Sequence, residues 1–127
     1  MNSMQLESTK ETPKIILDKE KEILEISGIS VPEDVLKFYK PILYWLDEYI
    51  LNPNEETNVV FKLEYFNTAS SKLILDILFK FKSLKDKGNK VLIRWYHEED
   101  DADMLLAAEM YAELTDLEFE YIITEFE

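Results

Sequence analysis

Apolar residues recur along this chain with two alternating periods. From Pro13 onward the first runs are short: Ile15, Ile16 and Leu17, then Ile23, Leu24, Ile26 and Ile29 beyond the polar stretch Asp18-Lys19-Glu20-Lys21. Two such runs around a tight polar connection predict a β-hairpin. The period then lengthens to that of a helix. Val35, Phe38, Ile42, Trp45, Leu46 and Tyr49 share one side of a segment reaching about Leu51. Ser30-Val31-Pro32-Glu33 is read as its opening: Ser30 caps, Glu33 reaches back to complete a capping box, and Pro32 sits where a missing N–H does no harm. Pro41 lies inside and should kink the helix, and Asn52-Pro53-Asn54 stops it.

The alternation continues. Thr57 to Phe66 is rich in β-branched and aromatic residues (Val59, Val60, Phe61, Leu63, Tyr65, Phe66), the composition of a strand covered on both faces. Asn67-Thr68-Ala69-Ser70-Ser71 turns the chain into a second helix, ended by Gly88. Val91 to Tyr96 reads as another buried strand. The acidic stretch Glu98 to Asp103 opens a third helix, where carboxylates meet the positive end of the dipole, with Met104, Ala107, Ala108, Tyr111 and Leu114 on one face. Phe119 to Ile123 is a last strand. The expected fold is therefore α/β, in the order ββαβαβαβ. It has three helices and a mixed, mostly parallel sheet of about five strands, built as one domain over residues 13–127. Residues 1–12 lack apolar periodicity and are expected to form a flexible tail.

Charge narrows the partners. Against 27 acidic residues stand 14 basic ones, a net charge of −13, which repels nucleic acid and direct docking on an anionic membrane. The N-terminal stretch MNSMQLESTKETPK lacks the apolar region of a signal peptide, and without cysteine there is neither a disulfide nor a thiolate nucleophile. A cytoplasmic protein is expected. Catalysis finds no support: the chain has one histidine, His97, expected as a surface or boundary residue at a strand end, and its two glycines cannot build a phosphate-binding loop. No cofactor is expected. The run Glu98-Glu99-Asp100-Asp101-Ala102-Asp103 lacks the alternating ligands, central glycine and distal glutamate of a calcium loop, so it reads first as a solvated helix cap, with metal binding as the alternative.

Chemistry concentrates at the junction Asn67–Ser71. It lies at the C-terminal end of a strand, where open α/β sheets place their sites. Its hydroxyls are ordinary N-cap residues and equally candidate phosphate acceptors, since a phosphate there meets free backbone N–H groups and the helix dipole. On a helical projection Thr68, Lys72, Leu75 and Phe79 share one side, opposite the core set Ile74, Ile77, Leu78, Phe81 and Leu84. Leu75 and Phe79 are apolar residues left over once the core face is assigned. They either form a docking stripe headed by the hydroxyl or lie beneath another element.

The stretch Tyr65-Phe66-Asn67-Thr68-Ala69-Ser70-Ser71-Lys72 resembles the signature of the SiaC-type regulatory phosphoproteins. The likeness runs from about Pro13 to Phe126 and includes Pro13-Lys14-Ile15, Ser30-Val31-Pro32-Glu33 and Trp95-Tyr96 followed by the acidic run. It implies a single domain similar to the anti-sigma-factor antagonists (the STAS class) and a non-enzymatic role in partner switching. By the resemblance, Thr68 is the phosphoacceptor, served by a cognate protein kinase and a PP2C-type phosphatase. The dephosphorylated form would bind and activate a diguanylate cyclase, raising cyclic di-GMP, and phosphorylation would release it. From the junction and the stripe on the helical projection, rather than from the resemblance, Asn67, Ser70, Ser71, Lys72, Leu75 and Phe79 are the expected partner-binding surface. Ala69 stands where the family pattern leads one to expect serine. The alternatives are a constitutive binding module or homodimer without phosphocontrol, and an acidic metal-binding protein.

Overall fold

A computed structural model describes residues 1–126. Its elements are β1 (Met4–Leu6), β2 (Lys14–Asp18), β3 (Ile23–Ser30), α1 (Val35–Leu51), β4 (Glu56–Phe66), α2 (Thr68–Asp86), β5 (Lys90–His97), α3 (Ala102–Thr115) and β6 (Glu118–Ile123). The six strands form one sheet in sequence order, antiparallel across β1–β2–β3 and parallel across β3–β4–β5–β6. The expected hairpin is β2–β3, closed by a turn in which Lys21 donates its N–H to Asp18 Oδ1 and Glu22 takes a left-handed φ of 58°.

Strand order has a direct consequence for layering. When each parallel strand lies next to its predecessor and crossovers are right-handed, every crossover helix lands on the same face. Burial agrees: along β4, Thr57, Val59, Phe61 and Leu63 are buried, while Asn58, Val60 and Lys62 between them are only half-buried. The expectation that this strand is covered on both faces is therefore corrected. The sheet has one helical face, whose core pairs Ile26 with Phe61, Val59 with Ile93, and Phe61 with Trp95 in register. On the other face Lys62, Arg94 and Tyr96 are half-buried. The Lys62 ammonium sits 5.3 Å from the Tyr96 ring centroid, and Arg94 faces Glu120 at 3.9 Å.

Two boundaries differ from expectation for physical reasons. Within residues 1–12, Met4–Leu6 pairs with Ile15–Leu17 as a sixth strand, and Trp45 Nε1 donates to the Asn2 carbonyl at 2.8 Å. Three residues joined by backbone bonds leave no periodicity to read. Ser30 is not the cap of α1: it is still paired in β3, opposite Phe66, and is fully buried. Asp34 caps instead, its side chain accepting from Lys37 N at 3.1 Å. Pro41 lies inside α1 on its exposed side. α2 ends as expected at Gly88, which takes a φ of 93° and donates its N–H to the Lys85 carbonyl. No helix among the described residues is long and apolar enough to cross a membrane.

Candidate functional site

β4 delivers the chain to the N-terminus of α2 at the end of the sheet where β3 and β5 also finish. Asn67 caps α2. Its backbone is extended, its Oδ1 accepts the Ser70 N–H at 2.9 Å, and its carbonyl accepts the Ser71 N–H at 3.0 Å. The first amides of a helix have no intrahelical acceptor, so those of Thr68 and Ala69 are left to solvent.

The hydroxyls at this junction are separated by burial. Thr68 is the first residue of α2 and is exposed. Ser71 is half-buried and donates its hydroxyl to the Thr68 carbonyl at 2.6 Å. Ser70 is fully buried. Its Oγ donates to the Ser30 carbonyl at 2.9 Å and accepts from Ser30 Oγ at 2.8 Å. With Ser30 Oγ so committed as a donor, the 2.6 Å contact to Tyr39 has the Tyr39 hydroxyl donating to Ser30. The Ser30 carbonyl also accepts the Asn67 N–H at 3.1 Å. Burial raises the Tyr39 hydroxyl from 10.0 to about 12. The expectation that Ser70 contributes to a partner-binding surface is corrected: its side chain is an internal tie between α2 and the end of β3.

A second tie comes from α3. The Tyr111 hydroxyl donates to the Ser71 carbonyl at 2.8 Å, and burial raises its pKa well above the usual phenol value. Beneath it, Trp95 is ringed by Phe61 at 5.0 Å, Tyr111 at 5.7 Å, Phe119 at 6.1 Å and Phe66 at 6.4 Å between centroids. Ser30, Tyr39 and Tyr111 are thus the residues that hold the junction, and sequence reasoning missed all three roles. Their partners lie nine to forty positions away, a separation without a local signal.

The stripe along α2 is partly brought together. Thr68 and Lys72 are exposed and Phe79 is 42% exposed. Leu75, however, is half-buried against the core. The predicted core positions Ile74, Ile77, Leu78, Phe81 and Leu84 are all buried, with Leu73 added. Phe79 borders a shallow groove between α1 and α2 shared with Leu43 and Ile50, crossed by an ion pair from Lys80 to Asp47.

The acidic run is taken up structurally. Asp101 caps α3 by accepting from Met104 N at 3.0 Å, and Glu98 Oε1 accepts from Phe126 N at 3.1 Å. Among the described residues no three His, Asp or Glu side chains converge as a metal site. His97, expected at the surface or boundary at the end of a strand, does end β5 but is buried there, with Nδ1 2.9 Å from the Glu98 carbonyl oxygen.

The chain is 25% identical over 113 residues to an uncharacterized protein of Pseudomonas aeruginosa strain UCBPP-PA14, covering 89% of this chain and 90% of that one. A solved structure of SiaC of Pseudomonas aeruginosa is similar with a TM-score of 0.84 and 26% identity, over 98% of both chains. A third likeness is to the structure of the diguanylate cyclase SiaD in complex with its activator SiaC, from the same organism. It has a TM-score of 0.89 at 23% identity, over 95% of this chain and 99% of that one. The sequence pattern of the SiaC family regulatory phosphoproteins matches residues 6–124, and the chain belongs to that family.

Proposed function

We propose that this protein is a non-enzymatic, phosphorylation-controlled partner switch whose dephosphorylated form binds and activates a diguanylate cyclase, and that phosphate on Thr68 releases the partner. The observation that carries the reading is the sorting of hydroxyls at the head of α2. Thr68 is exposed, Ser70 is sealed in the interior, and the Ser71 hydroxyl is engaged with the Thr68 carbonyl. The family description as regulatory phosphoproteins supports it, as does the relative SiaC, which is described as the activator of a diguanylate cyclase.

The physical account has two parts. Phosphate adds about −1.5 to −2 charge and three acceptor oxygens. At the head of α2 it meets the free Thr68 and Ala69 amides and the positive end of the helix dipole, so the fold tolerates it. A partner that covers Thr68 and Phe79 must strip water from that charge, and the cost of desolvation favours release. A cognate kinase and a PP2C-type phosphatase would set the ratio of the two forms.

The test is intact-mass analysis after incubation with the cognate kinase and ATP, paired with a binding titration against the cyclase. Wild type should gain one phosphate and lose the cyclase. Thr68→Ala should fold, gain none and keep binding. Phosphate recovered on Ser71 with Thr68 unmodified would refute the assignment.

A further inference from the structure

Helix α3 is apolar on both of its faces. Met104, Ala108 and Tyr111 are buried on the core side. On the opposite side Leu106, Met110 and Leu114 follow one another at intervals of four residues and are 57%, 54% and 57% exposed. Leu114, expected on the same face as Met104, Ala108 and Tyr111, lies in this outer row. A helix with one face in water carries polar residues there, and one apolar all round is ordinarily covered by something. Single exposed apolar residues need no explanation, but three in one ridge about 12 Å long form a continuous patch. Methionine at its centre is the side chain best able to adapt to a partner.

The charges around the ridge decide what can cover it. α3 contains Asp103, Glu109 and Glu113 and no Lys, Arg or His between Ala102 and Thr115. A second copy of this chain would lay three carboxylates against three more, between molecules that each carry −13. An anionic lipid surface is repelled by the same charges. A partner with positive flanks is attracted. The ridge is also rigidly mounted: α3 is fastened to α2 by the Tyr111–Ser71 hydrogen bond and by the Lys85–Asp116 ion pair at 3.2 Å. A preorganised surface binds without the cost of ordering itself first.

We propose that the Leu106–Met110–Leu114 ridge docks an amphipathic helix of a partner protein whose apolar row is flanked by Lys or Arg. The ridge lies on a different helix from Thr68, and the inference stands independently of phosphocontrol. The probe is a fluorescently labelled amphipathic peptide of leucines and lysines about five helical turns long, titrated with the full chain at physiological salt and read by anisotropy. Wild type should bind it saturably. The double variant Leu106→Ser/Met110→Ser should bind about tenfold more weakly or worse, and Leu114→Ser alone should weaken it measurably. A peptide with glutamate in place of lysine should not bind, and Thr68→Ala should bind as wild type does. All three substituted positions are exposed, so unchanged circular dichroism separates lost docking from lost folding. Equal peptide affinity in the double variant would overturn the proposal, leaving only attraction by net charge. A wild-type dimer in sedimentation velocity that the double variant dissolves would overturn it in favour of a second copy. Binding of wild type to anionic vesicles through the same residues would overturn it in favour of a membrane.

Discussion

At Ser70 one hydroxyl joins three elements. Tyr39 of α1 donates to Ser30 at the end of β3, Ser30 donates to Ser70 at the head of α2, and Ser70 returns a hydrogen bond to the Ser30 carbonyl. Every member is buried. Ser70→Ala removes a donor and an acceptor at once and leaves the remaining groups short of partners, a loss of about 1–3 kcal/mol. Urea unfolding should show it, and Thr68→Ala, made at an exposed position two residues away, should leave the midpoint nearly unchanged. The same chain gives stability a dependence on alkaline pH. The Tyr39 hydroxyl titrates at about 12 in the folded protein against 10.0 ordinarily, so its contribution is fully present below pH 10 and is lost as pH rises toward 12. Burial shifts Tyr111 in the same direction. Urea midpoints should therefore fall steeply over that window, and less steeply in Tyr39→Phe. The sequence marks the hydroxyl cluster Asn67–Ser71 plainly, because cap residues at a strand end are a local signal. It does not mark which hydroxyl is sealed inside, because that is decided by Ser30 and Tyr39, residues forty and thirty-one positions from Ser70.

At the scale of the element, α2 shows how far helical periodicity carries. A projection separates the core set from the remainder, and burial of Ile74, Ile77, Leu78, Phe81 and Leu84 follows it. Periodicity cannot say how closely neighbouring helices approach, and α1 and α3 both pack against α2, which draws Leu75 partly inside. The two apolar leftovers should therefore behave differently. Phe79→Asp, at an exposed site, should leave the unfolding midpoint near wild type while weakening cyclase binding by about tenfold or more. Leu75→Asp should lower the midpoint, because it forces a carboxylate against packed apolar groups. Equal midpoints for the two would show that Leu75 contributes nothing to the core. On α3 the same limit appears in reverse. Helical spacing puts Leu114 on one face with Met104, Ala108 and Tyr111, yet the buried set is Met104, Ala108, Tyr111 and Thr115, with the Thr115 hydroxyl satisfied by the Tyr111 carbonyl at 2.7 Å.

For the molecule as a whole, alternation of strand and helix from Ser30 onward was enough to predict a parallel arrangement, and the sheet has it. The single helical face is less legible, since Val60, Leu92 and Tyr96 give the outer side an apolar look in the sequence although it carries no helix. The first strand is illegible because it rests on three backbone pairings and one indole hydrogen bond. Its importance can be measured. Deleting residues 1–7 removes the Asn2 carbonyl from Trp45 and uncovers the edge of β2. Urea unfolding of the truncated protein should begin at lower denaturant, and Trp45 should become more accessible to a quencher. An unchanged midpoint would show that β1 only decorates the sheet.

Trp95 gives the molecule an optical property. Its indole N–H is buried, has no acceptor among the described residues, and is enclosed by aromatic rings. An indole packed among aromatic rings has few polar groups to reorient around its excited state, so it emits at short wavelength. Two of its neighbours, Phe66 and Tyr111, are also the residues that lead into the head of α2 and hold it from below. Colour and intensity of Trp95 emission therefore report on the packing around Phe66 and Tyr111, and in a Trp45→Phe variant partner binding or phosphate at Thr68 can be followed without attaching a dye.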